Sequence, residues 1–179
     1  MTADPREQIS DFTEMTDEEL AKLIGSFFRA IGWGAVAGSG FFLVFTVPFG
    51  LATLIADGES GGLLVAVLPL AIAFAGTLAG MIFLGLPLTA LLRHLKGERV
   101  GFYSAMGIFG GLLLPMAFLA LLEGEFNSGS VALGIFLGPF GAMAGGVCAN
   151  IWGAYRVSLA QNDSDKADSP TNPYHDMIY

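Results

Sequence analysis

The chain has 179 residues, of which 54% are hydrophobic and only 13% are charged, and its mean hydropathy is +0.65. Soluble domains carry about 25% charged residues, so this composition excludes a disordered chain, a disulfide-rich secreted domain and an ordinary cytosolic enzyme. The formal net charge of −8 argues against nucleic-acid binding, which requires a basic surface.

The chain begins with a polar segment, residues 1–15, and a predicted amphipathic helix over residues 16–31. The stretch Thr16–Glu19 has the spacing of a capping box, which marks a helix start. Apolar residues recur on one helix face, at Leu20, Leu23, Ile24, Phe27, Phe28 and Ile31. We predict that this helix lies on the cytoplasmic leaflet and that the chain bends into the bilayer near Gly32 and Gly34. The alternative is a plain extension of the first membrane helix.

Four runs without a charged residue follow, and each is longer than the ~20 residues that a helix needs to cross the hydrocarbon core. They do not alternate polar and apolar residues as barrel strands do. The runs are Ala30–Ala56, Ser60–Leu92, Val100–Leu122 and Phe126–Tyr155. We therefore predict an all-α integral membrane protein. Its four-helix transmembrane bundle would cover residues 32–156, with helices at about 32–56, 62–92, 101–122 and 131–155.

The distribution of Lys and Arg predicts the topology. All 8 of these residues lie before the first helix, between the second and third, or after the fourth: Arg6, Lys22, Arg29, Arg93, Lys96, Arg99, Arg156 and Lys166. The other two loops carry only acidic residues. The positive-inside rule then places both termini and the middle loop in the cytoplasm. Four helices with Gly, Pro and a short basic middle loop resemble, in composition, many small proteins of the bacterial inner membrane.

Two sets of residues near the cytoplasmic side are candidates for lipid contact. The middle-loop cations, Arg93, Lys96 and Arg99, could contact anionic headgroups, although a topology signal is the simpler explanation. An aromatic belt at this interface is expected from Trp33, Tyr103, Trp152 and Tyr155.

Glycines spaced by four residues occur in every run and predict close helix packing in lipid. They are Gly34 and Gly38, Gly76 and Gly80, Gly107 and Gly111, and Gly134, Gly138, Gly141 and Gly145. The last four form one continuous stripe, so we expect the fourth helix at the centre of the bundle. Packing within the chain is the simpler explanation of the stripe, and a seam between copies is the alternative. Prolines in every run predict kinks, at Pro48, Pro69, Pro87, Pro115 and Pro139.

The candidate chemistry is sparse. No Asp, Glu, Lys, Arg or His lies inside the four runs, whereas proton relays and ion paths use such groups. Ser39, Thr77 and Asn150 are the candidates for a polar path. The two histidines, His94 and His175, are not placed for haem or metal ligation within the bundle.

From these features we predict no enzyme, no cofactor and no metal site. Cys148 has no partner cysteine and is expected to be a small packing residue, and the tail, residues 157–179, is polar. The leading hypothesis is an accessory, assembly or scaffold subunit, or a small oligomer, with the lipid bilayer and other membrane subunits or a second copy as partners. The alternative is a small transporter or channel with a path between helices or protomers. A membrane enzyme with a cleft near His94, Arg99 and Asn150 comes third.

Overall fold

The computed structural model describes residues 16–58, 61–95, 99–123 and 128–168, which are almost entirely helical. The elements are α1 (Asp17–Asp57), α2 (Gly61–Gly80), a π-helical turn (Met81–Gly85), α3 (Leu86–His94), α4 (Val100–Glu123) and α5 (Ser128–Asp168). Within these ranges four helical units are long and apolar enough to cross a membrane, namely α1, α2 to α3, α4 and α5. The all-α prediction is confirmed. The predicted segment 1–15, Lys96 and the tail after Asp168 lie outside the described residues.

α1 begins at the predicted capping box. The Thr16 hydroxyl oxygen accepts a hydrogen bond from the Glu19 N–H at 3.3 Å, and the Glu19 carboxylate accepts one from the Thr16 N–H, also at 3.3 Å. At its other end the helix stops at Gly58, whose φ of 68° is left-handed and whose N–H donates to the Leu54 carbonyl. Glycine closes the helix there because it adopts this conformation without strain.

The bend expected at Gly32 and Gly34 does not interrupt α1, which runs as one helix of 41 residues. The structure thus has the continuous helix of the alternative interpretation. The physical reason is packing, because Gly34 lies directly against α5. A Cβ at Gly34 would sit 2.8 Å from both the Ala144 carbonyl oxygen and the Cys148 Cβ. Neighbouring helices hold such a position helical despite its low intrinsic propensity.

The apolar face of the first turns of α1 splits into two stripes. Leu23, Phe27 and Ile31 pack against the buried core. Leu20, Ile24 and Phe28 remain about half-exposed. Of these two stripes, the second is the one exposed enough to contact a lipid surface. The location of this helix segment on the cytoplasmic leaflet stays a prediction.

α5 is the central helix, since it packs against both α1 and α4, while α2 packs mainly against α1. Aromatic rings also join α1 to α5: the Phe140 ring lies 5.5 Å from that of Phe41 and 4.8 Å from that of Phe42. α4 approaches the second helical unit through a leucine side chain, with Leu114 beside Gly80.

The π-helical turn accompanies the proline predicted to kink the second unit. The Leu86 N–H donates to the Met81 carbonyl, five residues back, and Pro87 follows at the start of α3. Proline lacks an N–H and its ring crowds the carbonyl four residues earlier, and a wider turn before it accommodates that crowding. Pro48, Pro69, Pro115 and Pro139 lie inside the α-helices.

Two of the expected belt aromatics are in fact core residues. Tyr103 is 1% exposed and Trp152 is 3% exposed, whereas Trp33 is 55% exposed. The interface expectation was wrong for the first two because both rings point between helices. The sequence alone does not tell whether an aromatic residue near a helix end faces lipid or a neighbouring helix.

α5 continues to Asp168, well past the predicted membrane boundary at residue 155. The sequence there is too polar to fold alone, but the nucleation cost of a helix is already met by the apolar part of α5 that precedes it. The polar residues after residue 155 then only extend an existing helix, which adds one backbone hydrogen bond per residue.

Candidate functional site

A buried hydrogen-bond chain joins three elements, the π-helical turn, α3 and α5. The Trp152 indole N–H of α5 donates to the Thr89 hydroxyl of α3 at 3.0 Å. The Thr89 hydroxyl in turn donates to the Gly85 carbonyl, the last of the π turn, at 2.7 Å. Buried polar groups are costly unless bonded, and this chain satisfies the indole, the hydroxyl and one carbonyl together.

Apolar residues enclose this chain. Ala30, Ile31, Met81, Leu92 and Cys148 are all buried in the same cluster as Tyr103 and Trp152. The Phe27 ring stands edge-on to Trp152, with centroids 5.9 Å apart. The cluster, which we call the inner core, draws on α1, the π turn, α3, α4 and α5. Its chemistry is that of packing, and Cys148 lies in it as the predicted small apolar residue.

α4 and α5 meet through bare backbone at four glycines. A Cβ at Gly107 would overlap the Gly145 carbonyl oxygen, and a Cβ at Gly145 would overlap the Gly107 carbonyl oxygen. One turn along both helices, Gly111 and Gly141 stand in the same reciprocal relation. Such contacts bring Cα–H groups against carbonyl oxygens and increase dispersion, which are the attractive terms available in lipid.

The other predicted glycines differ in their surroundings. Gly38 faces the Ala144 Cβ, Gly134 faces the Met116 side chain and Gly138 faces Leu112. Gly76 faces open space, with nothing within 4 Å of a Cβ placed there. Gly80 meets only the tip of Leu114. The four-residue spacing thus occurs at glycines that face backbone, a side chain or open space. A larger residue is excluded where the facing atoms are backbone, because backbone cannot rotate away.

The residues of the proposed polar path do not share a groove. The buried Ser39 hydroxyl donates to the Ala35 carbonyl at 2.7 Å, and the Thr77 hydroxyl lies within hydrogen-bond distance of the Ala73 carbonyl at 2.8 Å. Each therefore bonds back to its own helix, which is the common fate of hydroxyls at depth. Asn150 lies on the outside of the bundle.

Asn150 belongs to a groove on the outer surface of α4 and α5. Its side-chain N–H donates to the Ser104 hydroxyl across the helix pair at 3.2 Å. The groove has a volume of about 560 Å³, and its other walls are mostly apolar: Ile108, Ala142, Met143, Gly146, Val147 and Ile151. One end of this open, mostly apolar groove thus carries a hydrogen-bonding pair. A second groove, of about 420 Å³, is apolar and lies between α1 and α2 around Gly32 and Ala71.

The predicted headgroup residues are only partly described. Arg93 is in the last turn of α3, where a cation interacts favourably with the helix dipole, and it is exposed, as is Arg99. Their contact with lipid remains a prediction. Across the four described ranges, no three His, Cys, Asp or Glu residues are grouped so as to hold a metal ion.

Sequence reasoning missed three features of this region. The Trp152–Thr89 hydrogen bond pairs residues of distant helices and leaves no local pattern. The close approach of Gly50 to Gly62, which lets α1 meet α2, involves no repeat within either helix. The π turn could have been suspected from the sequence, because Pro87 follows its last residue, Gly85, by two positions.

No family model matches this chain, and neither the curated proteins nor the solved structures include a significant match to it.

Proposed function

We propose that this chain is a small multi-pass protein of a bacterial inner membrane, with both termini in the cytoplasm, that serves as an accessory, assembly or scaffold subunit or as a small oligomer. The outward faces of its helices support membrane insertion. Phe45, Ile55, Phe83 and Leu121 are between 61% and 84% exposed. Apolar surface this extensive is unstable against water but matches hydrocarbon.

The interior supports a structural rather than a catalytic role. α4 and α5 pack through the reciprocal glycine contacts, and the deep hydroxyls of Ser39 and Thr77 are bonded to their own helices. The glycines thus serve helix association, and the two hydroxyls are satisfied within their own helices. The path of the transporter alternative would need Ser39, Thr77 and Asn150 on a common wall, and their positions do not favour it.

The observation that carries the proposal is the outward-facing pair of Ser104 and Asn150. Polar side chains on a membrane-facing helix surface form hydrogen bonds with other helices. Another membrane helix could form hydrogen bonds with this pair and place its side chains in the apolar groove beside it.

The proposal is tested by purifying the tagged chain from native membranes in a mild detergent or in lipid nanodiscs. Mass measurement should give a species larger than one chain, either a homo-oligomer or a complex with a stoichiometric second protein. A monomer without a co-purifying protein contradicts the proposal. Solute flux through liposomes reconstituted with the pure chain would instead favour the transporter alternative.

A further inference from the structure

α5 has a third side that is largely exposed, although Asn150 on this side bonds to Ser104 of α4. It meets α4 through Gly134, Gly138, Gly141 and Gly145, and it meets α1 through residues that include Phe140, Ala144 and Cys148. The remaining side carries residues that are exposed or, for Val157, half-exposed: Met143, Val147, Asn150, Ala154, Val157 and Gln161. We call these six residues the outer seam.

The outer seam has the spacing of a coiled coil. Its members follow one another at alternating steps of four and three residues. An average step of ~3.5 residues keeps a stripe facing one partner helix in a left-handed supercoil. The seam also continues beyond the uncharged run, because α5 has 41 residues and crossing ~30 Å of hydrocarbon needs only ~20. Its last members therefore belong to the cytoplasmic extension of α5.

Asn150 is a polar residue in the middle of the seam, and its neighbours there, Val147 and Ala154, are apolar. One of its N–H groups donates to Ser104, and in the part of the chain that the structure describes its second N–H and its carbonyl oxygen make no further hydrogen bond. A carboxamide offers both a donor and an acceptor, so two of them can satisfy each other. A single Asn in such a seam is a known determinant of register and oligomer state.

We propose that two copies of this chain associate in parallel along the outer seam, with their Asn150 side chains hydrogen-bonded across a two-fold axis normal to the membrane. Two copies inserted with the same topology place Asn150 at the same depth, which the pairing of identical groups requires. The groove of about 560 Å³ beside Met143, Val147 and Asn150 accommodates side chains of the facing helix. The inference rests on the proposed function and deepens it, because it names a second copy as the partner.

Cysteine cross-linking in native membranes tests the geometry. Two neighbouring exposed positions serve as a matched pair in a Cys148→Ala background: Gln161, on the seam, and Asn162, beside it. Disulfides require Cα atoms about 4.4–6.8 Å apart, so Gln161→Cys should form a dimer on mild oxidation and Asn162→Cys should form much less. Equal cross-linking of both variants, or of neither, overturns the seam.

Energy transfer between donor- and acceptor-labelled copies in liposomes tests Asn150 itself. Asn150→Leu should weaken association by about threefold to twentyfold, the range expected for one interhelical hydrogen bond in a membrane. Ser104→Ala removes only the intrachain partner and should stay within about twofold of the unchanged chain. Equal loss in both variants would overturn the proposed pair across the axis.

The two proposals fail in different ways. A complex with a different protein but no cross-linked homodimer overturns the outer seam and keeps the scaffold proposal. A chain that stays monomeric in membranes and binds nothing overturns both.

Discussion

Replacing Gly141 by Ala should destabilise the bundle, because the added methyl group points at backbone that cannot rotate away. A Cβ there would overlap the Gly111 carbonyl oxygen and would lie 3.2 Å from the Pro115 ring. To restore ordinary contact distances of 3.4–4 Å, α4 and α5 must separate. Separation also loosens the neighbouring Gly107–Gly145 contact one turn away.

Gly76→Ala is the matched control for this prediction, since a Cβ there meets nothing within 4 Å. Both variants gain the same helix propensity, ~1 kcal/mol in water, so their difference isolates the cost of overpacking. We expect Gly141→Ala to be less stable than Gly76→Ala by about 1–3 kcal/mol. Gly138→Ala should fall between them, because its nearest neighbour is the Leu112 side-chain tip at 3.0 Å, which can move.

The assay is equilibrium unfolding in mixed micelles at increasing SDS fraction. Tryptophan fluorescence reports the transition, because Trp152 is buried and loses its surroundings on unfolding. If Gly141→Ala and Gly76→Ala unfold at the same SDS fraction, the close-approach argument for α4 and α5 is refuted.

Two further predictions concern the inner core and the start of α1. Thr89→Val should leave the Trp152 indole N–H without its partner and lower the free energy of unfolding by about 1–2 kcal/mol. The control is Thr77→Val, which removes a hydroxyl bonded within its own helix. An equal loss of stability in both variants would contradict a stabilising role for the hydrogen bond between helices. Thr16→Ala should weaken the first turn of α1 by ~1 kcal/mol, seen as about fivefold faster amide exchange at Glu19. Unchanged exchange there would mean that the capping box contributes nothing to the folded protein.

The sequence was sufficient for the coarse architecture because long uncharged apolar runs indicate long apolar helices. Four uncharged runs predicted four spanning helices, and the capping box at Thr16 was found at its predicted residue. Both are local properties of the chain. The continuity of α1 through Gly34 was less visible, because it depends on contact with Ala144 and Cys148 of another helix.

The direction in which side chains point was the main quantity that the sequence left open. Trp33 and Trp152 look alike as residues near a membrane boundary, yet one is exposed and the other is bonded to Thr89 in the inner core. Likewise Gly76 and Gly141 share a spacing motif but differ in whether a helix lies opposite. Such distinctions arise from the relative rotation of packed helices, which no single helix encodes.

The central claim, a four-span membrane protein with both termini in the cytoplasm, is tested most directly by labelling with a membrane-impermeant maleimide. In a Cys148→Ala background, Gly61→Cys lies beside the first outer loop, at a position where a Cβ has open space, and Asn162→Cys lies at the exposed inner end of α5. In intact cells Gly61→Cys should react and Asn162→Cys should react only after the membrane is permeabilised. Reaction of Asn162→Cys in intact cells, or recovery of the chain in the soluble fraction, would contradict the account.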